Sequence, residues 1–201
     1  MRPAPYLRII DDQPMEKIMA KTIRYAAGQS SLGPFVAAIS DRGLAMLEFG
    51  DMNETRMQAL RSRFPDAEIV EDSAALRETL GLAAELVDHP ESGIALALDL
   101  QGSAFELRVW SALRQIPAGT TASYGEIAAR LGSPREAREV AEACAANILA
   151  IAVPCHRVVK KDGSISGYRW GFARKRTLLA REHGARLLQG SAGELHEFVS
   201  D

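Results

Sequence analysis

Three segments in the second half of the chain open with the same helix-start signal, which constrains the fold more than any other feature of the sequence. In each, a glutamate follows a serine three positions later: Ser103 and Glu106, Ser123 and Glu126, Ser133 and Glu136. In such a capping box the serine oxygen accepts the third helical N–H, and the glutamate accepts the N–H of the serine. Pro134 fits the first helical position, where an N–H would have no partner. We therefore expect three helices in succession after residue 102.

The second and third of these helices are expected to form a helix-turn-helix. We place them at Tyr124–Leu131 and Arg135–Ala146, with the three residues 132–134 as the turn. Apolar residues recur at helical spacing in the third helix and should pack inward: Ala137, Val140, Ala141 and Cys144. A cysteine on such a face behaves as a small core residue, so we interpret Cys144 as structural.

The outer face of the third helix has two interpretations. It carries Arg135, Arg138, Glu139 and Glu142. This face is either a recognition surface for a macromolecule or a solvated surface without a partner, and helix-turn-helix spacing alone does not decide between the two.

The first half of the chain predicts a small α+β domain that ends near Gln101 and Gly102. Asp41 to Gly43 have the composition of a hairpin turn, and His89, beside a proline, is interpreted as a loop histidine. From residue spacing we expect short strands at Ile23–Ala26, Phe35–Ile39, Leu44–Phe49 and Ile94–Leu98, and helices at Thr55–Phe64 and Ala74–Val87. No cluster of candidate catalytic residues occurs in this half.

Charge is divided unevenly between the two halves. Residues 1–102 carry 10 basic and 16 acidic side chains, a net charge of −6, whereas residues 103–183 carry 13 basic and 7 acidic ones, a net charge of +6. The second half is therefore the one suited to face a polyanion such as nucleic acid.

Composition excludes several classes of protein. Cys144 and Cys155 are the two cysteines, too few for a disulfide framework or a cysteine-rich zinc site, and we expect no metal and no cofactor. The sequence has no apolar run long enough to cross a bilayer and no apolar signal core near its start. We expect a cytoplasmic protein that does not bind membranes.

Cys155 is the candidate nucleophile. An apolar strand is expected at Ala150–Val153, directly before Pro154, Cys155, His156 and Arg157, so the cysteine should emerge at a constrained turn. A thiol reacts as its thiolate and needs a nearby base at neutral pH. His156 is adjacent, and Glu182, near the end of a helix expected at Ala173–His183, is positioned to orient it.

The residues around Cys155 resemble the active-site signature of the O6-alkylguanine-DNA alkyltransferases. The segment Pro154–Val159 carries the resemblance, together with Asn147 before it and Ser166–Gly171 after it. The run Ala143–Asn147 is most similar to the alkyltransferase half of Ada-type adaptive-response proteins. The similarity covers roughly residues 22–183 and is most specific from Phe105 onward.

The resemblance implies an α+β fold of two domains. Residues 21–101 would form a small ribonuclease H-like domain, and residues 102–184 a helical, winged-helix-like domain that binds DNA and performs catalysis. An extension at 1–20 and a tail at 185–201 would flank them.

The resemblance also implies roles for individual residues. Cys155 would accept the alkyl group, His156 would activate it through a water molecule, and Glu182 would orient that histidine. Asn147 would brace the turn before the active site. Tyr124 would protonate guanine N3 as the base departs.

Other residues would bind the nucleic acid. Arg138 would be inserted into the duplex in place of the rotated-out nucleotide. Tyr168 and Arg169 would belong to the loop that walls the base pocket. The remaining candidates for DNA binding are Ser123, Arg135 and Arg157.

The expected function is therefore the repair of O6-alkylguanine in double-stranded DNA, with O4-alkylthymine as a second candidate lesion. The target atom is inaccessible in a stacked duplex, so the base must be flipped out. A thioether product has no easy leaving group, and the protein is expected to act once, as a monomer.

Three other functions remain open from the sequence. A papain-like cysteine hydrolase also uses Cys, His and an acid, although its histidine lies far from the cysteine in sequence. An alkyltransferase-like module would bind lesions without repairing them, but such modules lack the cysteine. A transcriptional regulator would need a second DNA-reading half or a dimer interface.

Overall fold

The computed structural model describes residues 21–194, with side chains for residues 21–184. The extension expected at 1–20 and the end of the expected tail, 195–201, lie outside the described residues. The fold is mixed α+β, as the sequence predicts. Within residues 21–194, no helix combines the length and the apolar character that crossing a membrane requires.

A four-stranded mixed sheet forms the first half of the structure. Its strands are β1 (Lys21–Ser30), β2 (Gly33–Ser40), β3 (Gly43–Phe49) and β4 (Ala67–Glu71), in the spatial order β3-β2-β1-β4. The first three are antiparallel, and β4 runs parallel to β1. Strand β4 was not predicted, because its five residues are partly exposed and show no run of large apolar side chains.

Helices cover both faces of this sheet. Helix α1 (Glu54–Arg63) buries Leu60 with Phe64 against Ile23 and Met46 on one face. Helix α2 (Arg77–Asp88) packs on the opposite face, and its cluster continues into the second half of the chain. The two halves therefore share one hydrophobic core, which fixes the sheet relative to the site described below.

The strand expected at Ile94–Leu98 is wrong. This segment makes a single bridge, between Leu98 and Leu44, with Leu44 N donating to Ala97 O at 2.8 Å and Asp99 N donating to Leu44 O at 2.9 Å. Its apolar side chains are half-exposed or exposed, so no buried face holds a regular ladder. The close approach also explains Gly43, where a Cβ atom would lie 2.2 Å from Ala97 O.

The second half is mainly helical. Helix α3 (Ala104–Arg114) is followed by β5 (Ala122–Ser123), α4 (Tyr124–Arg130), α5 (Ala137–Ala145), β6 (Val158–Val159) and α6 (Phe172–Glu194). Strands β5 and β6 pair in parallel. Helix α6 continues beyond its expected end at His183.

Two of the three expected capping boxes are confirmed. The Ser103 and Ser123 hydroxyls accept the N–H groups of Glu106 and Glu126, whose carboxylates accept the serine N–H groups in return. The third is wrong: α5 begins only at Ala137, and its N-cap, Glu136, makes no side-chain cap bond. Glu136 N instead donates to Ser133 O at 2.9 Å, so Pro134 lies in a turn that precedes the helix.

Candidate active site

The segment that leads into Cys155 is a tight turn held by the edge of the sheet. Leu47 of β3 donates its N–H to Ile148 O at 2.9 Å, and Leu47 O accepts from Ala150 N at 2.7 Å. The chain then turns through Ile151, which has a φ of 66°. The strand expected at Ala150–Val153 is therefore wrong. A β-branched residue in the left-handed region is strained, and such strain persists only where surrounding contacts enforce it.

Asn147 supplies those contacts. The side chain is 1% exposed, and its Oδ1 accepts the N–H of Leu149 at 2.8 Å. Its Nδ2 donates to Val153 O at 3.1 Å and to the Sγ atom of Cys155 at 3.3 Å. One amide thus braces the turn and polarises the sulfur.

Cys155 opens a 3-10 turn, Cys155–Arg157, and is 5% exposed. Burial raises the pKa of its thiol, because a low-dielectric surrounding disfavours the thiolate. The Asn147 hydrogen bond and the positive charges of Lys175 and Arg169 act in the opposite direction and lower that pKa. The sulfur therefore depends on its polar neighbours to ionise.

His156, the residue after Cys155, forms a buried pair with Glu182. Nε2 of His156 lies 2.8 Å from Oε1 of Glu182, and both side chains are fully buried. Burial lowers the pKa of His156 and so favours the neutral ring, and the Glu182 carboxylate opposes that shift. Because an ionised Glu182 carboxylate can only accept a hydrogen bond, Nε2 of the neutral ring carries the proton, and Nδ1 carries the bare lone pair. Among residues 21–184, no group hydrogen bonds to Nδ1.

Arg157 anchors this pair from a buried position. Its guanidinium is buried, with Nη2 donating to Oε1 of Glu182 at 2.9 Å and Nη1 to Ile116 O at 2.6 Å. These bonds with His156 and Arg157 lower the pKa of Glu182 to about 2, against the opposing effect of burial. Arg157 was predicted as a DNA-binding residue, whereas its guanidinium is buried against Glu182 and Ile116.

A second series of hydrogen bonds, which was not predicted from the sequence, reaches Tyr124. The Tyr124 hydroxyl donates to Oγ of Ser166 at 3.0 Å, and Ser166 donates onward to Val158 O at 2.9 Å. Nζ of Lys175 also donates to Oγ of Ser166, at 2.7 Å. Lys175 is 0% exposed, and burial lowers its pKa to about 8. The available signal was that Lys175 lies three residues before the apolar Leu178 on α6, but spacing alone does not show that it points inward.

A cavity of about 420 Å³ brings Cys155 and Tyr124 to one place. Its lining includes Tyr124, Cys144, Cys155, Tyr168 and Arg169. Cys144 is buried in α5, as expected of a core residue, yet it also lines this cavity. Tyr168 contacts Trp170 edge-on, with ring centroids 5.0 Å apart, and its hydroxyl has no hydrogen-bond partner among the described residues.

The helix-turn-helix lies beside the cavity. Helices α4 and α5 pack together, and Ser123 caps α4. Arg135 and Arg138 are exposed, and Nε of Arg138 lies 3.1 Å from Oε1 of Glu142 along α5. The structure thus brings Cys155, His156, Glu182, Asn147 and Tyr124 together, and it leaves Arg135 and Arg138 on the surface of α5 or just before it. Within residues 21–184, no group of three or more histidine, cysteine or acidic side chains is arranged to hold a metal ion.

Comparison with known proteins identifies relatives of this arrangement. Residues 104–184 match the model of the 6-O-methylguanine DNA methyltransferase, DNA binding domain. The bifunctional transcriptional activator/DNA repair enzyme Ada of Escherichia coli is 42% identical over 160 residues, which are 80% of this chain and 45% of Ada. The inducible methylated-DNA–protein-cysteine methyltransferase of Bacillus subtilis is 36% identical over 154 residues, 75% of this chain and 85% of the relative.

A solved structure extends the comparison to most of both chains. The Mycobacterium tuberculosis protein OGT, crystallised in complex with DNA, has a TM-score of 0.63 and 34% identity, covering 81% of this chain and 93% of that one. The chain spans about half the length of several curated relatives, with 45%, 46% and 53% of their residues matched.

Proposed function

Because the chain belongs to the methylated-DNA–protein-cysteine methyltransferase family, we propose that it repairs O6-alkylguanine in DNA by moving the alkyl group irreversibly onto its own Cys155. One observation carries the proposal. The buried sulfur accepts a hydrogen bond from Asn147, adjoins the His156 and Glu182 pair, and lines a cavity beside a helix-turn-helix.

Activation of the sulfur begins at Glu182. Its carboxylate holds the His156 tautomer in which Nδ1 is the acceptor, and Arg157 holds the carboxylate. We assign Nδ1 of His156 as the base that takes the Cys155 proton through a water molecule. The thiolate then attacks the alkyl carbon, the S–C bond forms, and the C–O bond to guanine breaks with its electron pair on the base.

The departing guanine is assigned a proton donor, the hydroxyl of Tyr124. That hydroxyl would protonate guanine N3. Ser166 would then turn its O–H from Val158 O toward the Tyr124 phenolate and give it the proton, and Lys175 would replace the proton on Ser166. A buried ammonium with a pKa of about 8 gives up its proton more readily than an exposed lysine. Neutralising the leaving base lowers the barrier to its departure.

Recognition of duplex DNA is assigned to α5 and the residues around the cavity. Arg138, exposed on α5, would enter the duplex and fill the space left by the flipped nucleotide, where its planar guanidinium can stack on bases. Ser123, Arg135, Tyr168 and Arg169 are the further binding candidates. Arg157 is reassigned from DNA binding to positioning Glu182, because its side chain is buried.

Several finer features belong to the same proposal. The sheet order and parallel β4 support a ribonuclease H-like unit at 21–101. The helix-turn-helix, with β5 before it and its paired strand β6 after it, supports a winged-helix-like unit at 102–184. We propose that the protein acts once, because a thioether has no easy leaving group, and as a monomer without a cofactor. O4-alkylthymine as a second lesion and a cytoplasmic location stay predictions.

The proposal is tested with a duplex that carries one O6-methylguanine. Wild-type protein should convert it to guanine in proportion to the protein added, and Cys155→Ala should bind the duplex without converting it. The matched control is Cys144→Ala, which removes the other cavity cysteine and should retain conversion. Conversion by Cys155→Ala, or turnover of more duplex than protein, would contradict the proposal.

A further inference from the structure

Glu48 is a buried carboxylate next to the last residue of the hydrophobic strand β3. It is 1% exposed, and its two oxygens face guanidinium groups from different parts of the chain. Nε of Arg56 lies 3.1 Å from Oε2, and Nε of Arg169 lies 3.0 Å from Oε1. Burial raises the pKa of Glu48, and the two arginines counteract that shift and favour the charged form.

Arg169 connects this carboxylate to the cavity of the proposed active site. It belongs to the loop between β6 and α6 and lines the cavity together with Cys155. Its Nη1 donates to Ala145 O at 3.1 Å, at the last residue of α5. One side chain therefore links the loop between β6 and α6, the end of α5 and the sheet.

Leu47, the residue next to Glu48, contacts the turn that leads to Cys155. Leu47 pairs through its backbone with Ile148 and Ala150, in the turn that delivers Cys155. Strand β3 thus positions the nucleophile through its backbone and the pocket loop through the Glu48 side chain.

A buried ion pair is a poor way to stabilise a strand. An apolar side chain of similar volume gives equal or greater stability, because two charges lose their hydration when buried. What a carboxylate adds is a localised negative charge. Although Oε1 of Glu48 makes no hydrogen bond among the described residues, it lies 3.0 Å from Nε of Arg169 and attracts that guanidinium in a low-dielectric surrounding.

We propose that Glu48 is a positioning residue for alkyl transfer. Through Arg169 it fixes the loop at 167–169 against the end of α5, and so sets where a flipped base lies relative to the Cys155 sulfur. The inference rests on the proposed function and deepens it. Transfer depends steeply on the alignment of sulfur, carbon and leaving oxygen, so a loosened loop should slow the chemical step.

The test is single-turnover transfer from an O6-methylguanine duplex at increasing duplex concentration. It yields a maximal first-order constant and a half-saturating concentration. For Glu48→Gln, which keeps the shape but removes the charge, we expect the maximal constant to fall about tenfold. The half-saturating concentration should rise by a smaller factor than the maximal constant falls, because Glu48 itself is too buried to meet DNA and affects binding only through Arg169.

The matched control is Asp99→Asn. Asp99 is another buried carboxylate of the same half, 4% exposed and paired with Arg42 and Lys21, but it does not contact Arg169. Its substitution should lower the thermal midpoint and leave the maximal transfer constant unchanged. A role of Glu48 in stability alone would make the two variants behave alike.

A double-mutant cycle tests whether Glu48 acts through Arg169. If Glu48 acts through Arg169, the double variant Glu48→Gln, Arg169→Gln should be no slower than Arg169→Gln alone, whereas independent effects would multiply. Glu48→Asp, which keeps the negative charge, should transfer faster than Glu48→Gln and more slowly than wild type. Arg169→Lys, at a partly exposed position, keeps the test available if Glu48→Gln does not fold.

Three outcomes separate the two levels of the proposal. An unchanged maximal constant in Glu48→Gln, or effects that multiply in the double variant, would overturn the role of Glu48. A wild-type protein that transfers nothing to Cys155 would instead overturn the proposed function.

Discussion

At Cys155, burial and hydrogen bonding act in opposite directions on one sulfur. Burial keeps water from competing for the alkyl group, but it also raises the thiol pKa. The Asn147 amide and the Lys175 ammonium partly offset that effect with a hydrogen bond and a positive charge. Reactivity therefore belongs to this environment rather than to the cysteine alone, and it should respond to changes in residues that never touch the substrate.

The pH dependence of transfer should show whether Lys175 supplies a proton during the reaction. The wild-type rate is expected to rise with pH and level off near pH 8, because Lys175, with a pKa of about 8, then loses its proton as more thiolate forms. Lys175→Met should be slower at pH 7, yet its rate should keep rising above pH 8. Single-turnover rates from pH 6 to 10 test this, with Lys21→Met as the control lysine. A plateau that persists in Lys175→Met would exclude Lys175 as the proton source.

Glu182 should make folding stability depend on pH. Its folded pKa, about 2, lies below the ordinary value of 4.5, so its contribution is complete above pH 4.5 and is lost as the pH falls toward 2. Glu182→Gln should cost about 3 kcal/mol at pH 7, because it leaves Arg157 buried without its carboxylate. Urea unfolding at several pH values measures this. The deficit should shrink as acid is added, and a deficit that stays constant from pH 6 to 3 would be incompatible with a carboxylate of depressed pKa.

At the level of helices and strands, the sequence predicted the features that depend on neighbouring residues. The starts of α3 and α4 followed from their capping boxes, because both hydrogen bonds of a capping box lie within four residues. The start of α5 did not, since the turn that closes between Ser133 and Glu136 competes with the same cap. The turn before Cys155 was also unpredictable from the sequence, because it depends on β3, about a hundred residues away.

Helix α5 is also the element at which duplex recognition can be tested. Arg138→Ala should slow transfer from duplex DNA by at least about tenfold, because nothing then fills the space of the flipped nucleotide. Transfer from the free base O6-methylguanine, which needs no flipping, should be unaffected. The matched control is Glu142→Gln, which removes the ion-pair partner of Arg138 and a negative charge near the phosphates. It should bind duplex as well as wild type or more tightly. Equal losses on duplex and free base in Arg138→Ala would contradict the assigned role.

At the scale of the whole molecule, the acidic first half and the basic second half share one core. The site residues Cys155, His156 and Glu182 could be named from the sequence because a local motif and one helix carry them. The contributions of Glu48 and Lys175 could not, because their roles arise from contacts across the core, with Arg169 and Ser166. The burial of Arg157 was hidden for the same reason: its partners Ile116 and Glu182 come from distant segments.

The most direct test of the account is the mass of the protein after it meets damaged DNA. Intact-mass spectrometry after incubation with an excess of O6-methylguanine duplex should show one added methyl group per chain, and peptide mapping should place it on Cys155. Unmodified duplex should add nothing. Restored guanine without a methyl group on Cys155, or a methyl group on Cys144 instead, would contradict the account.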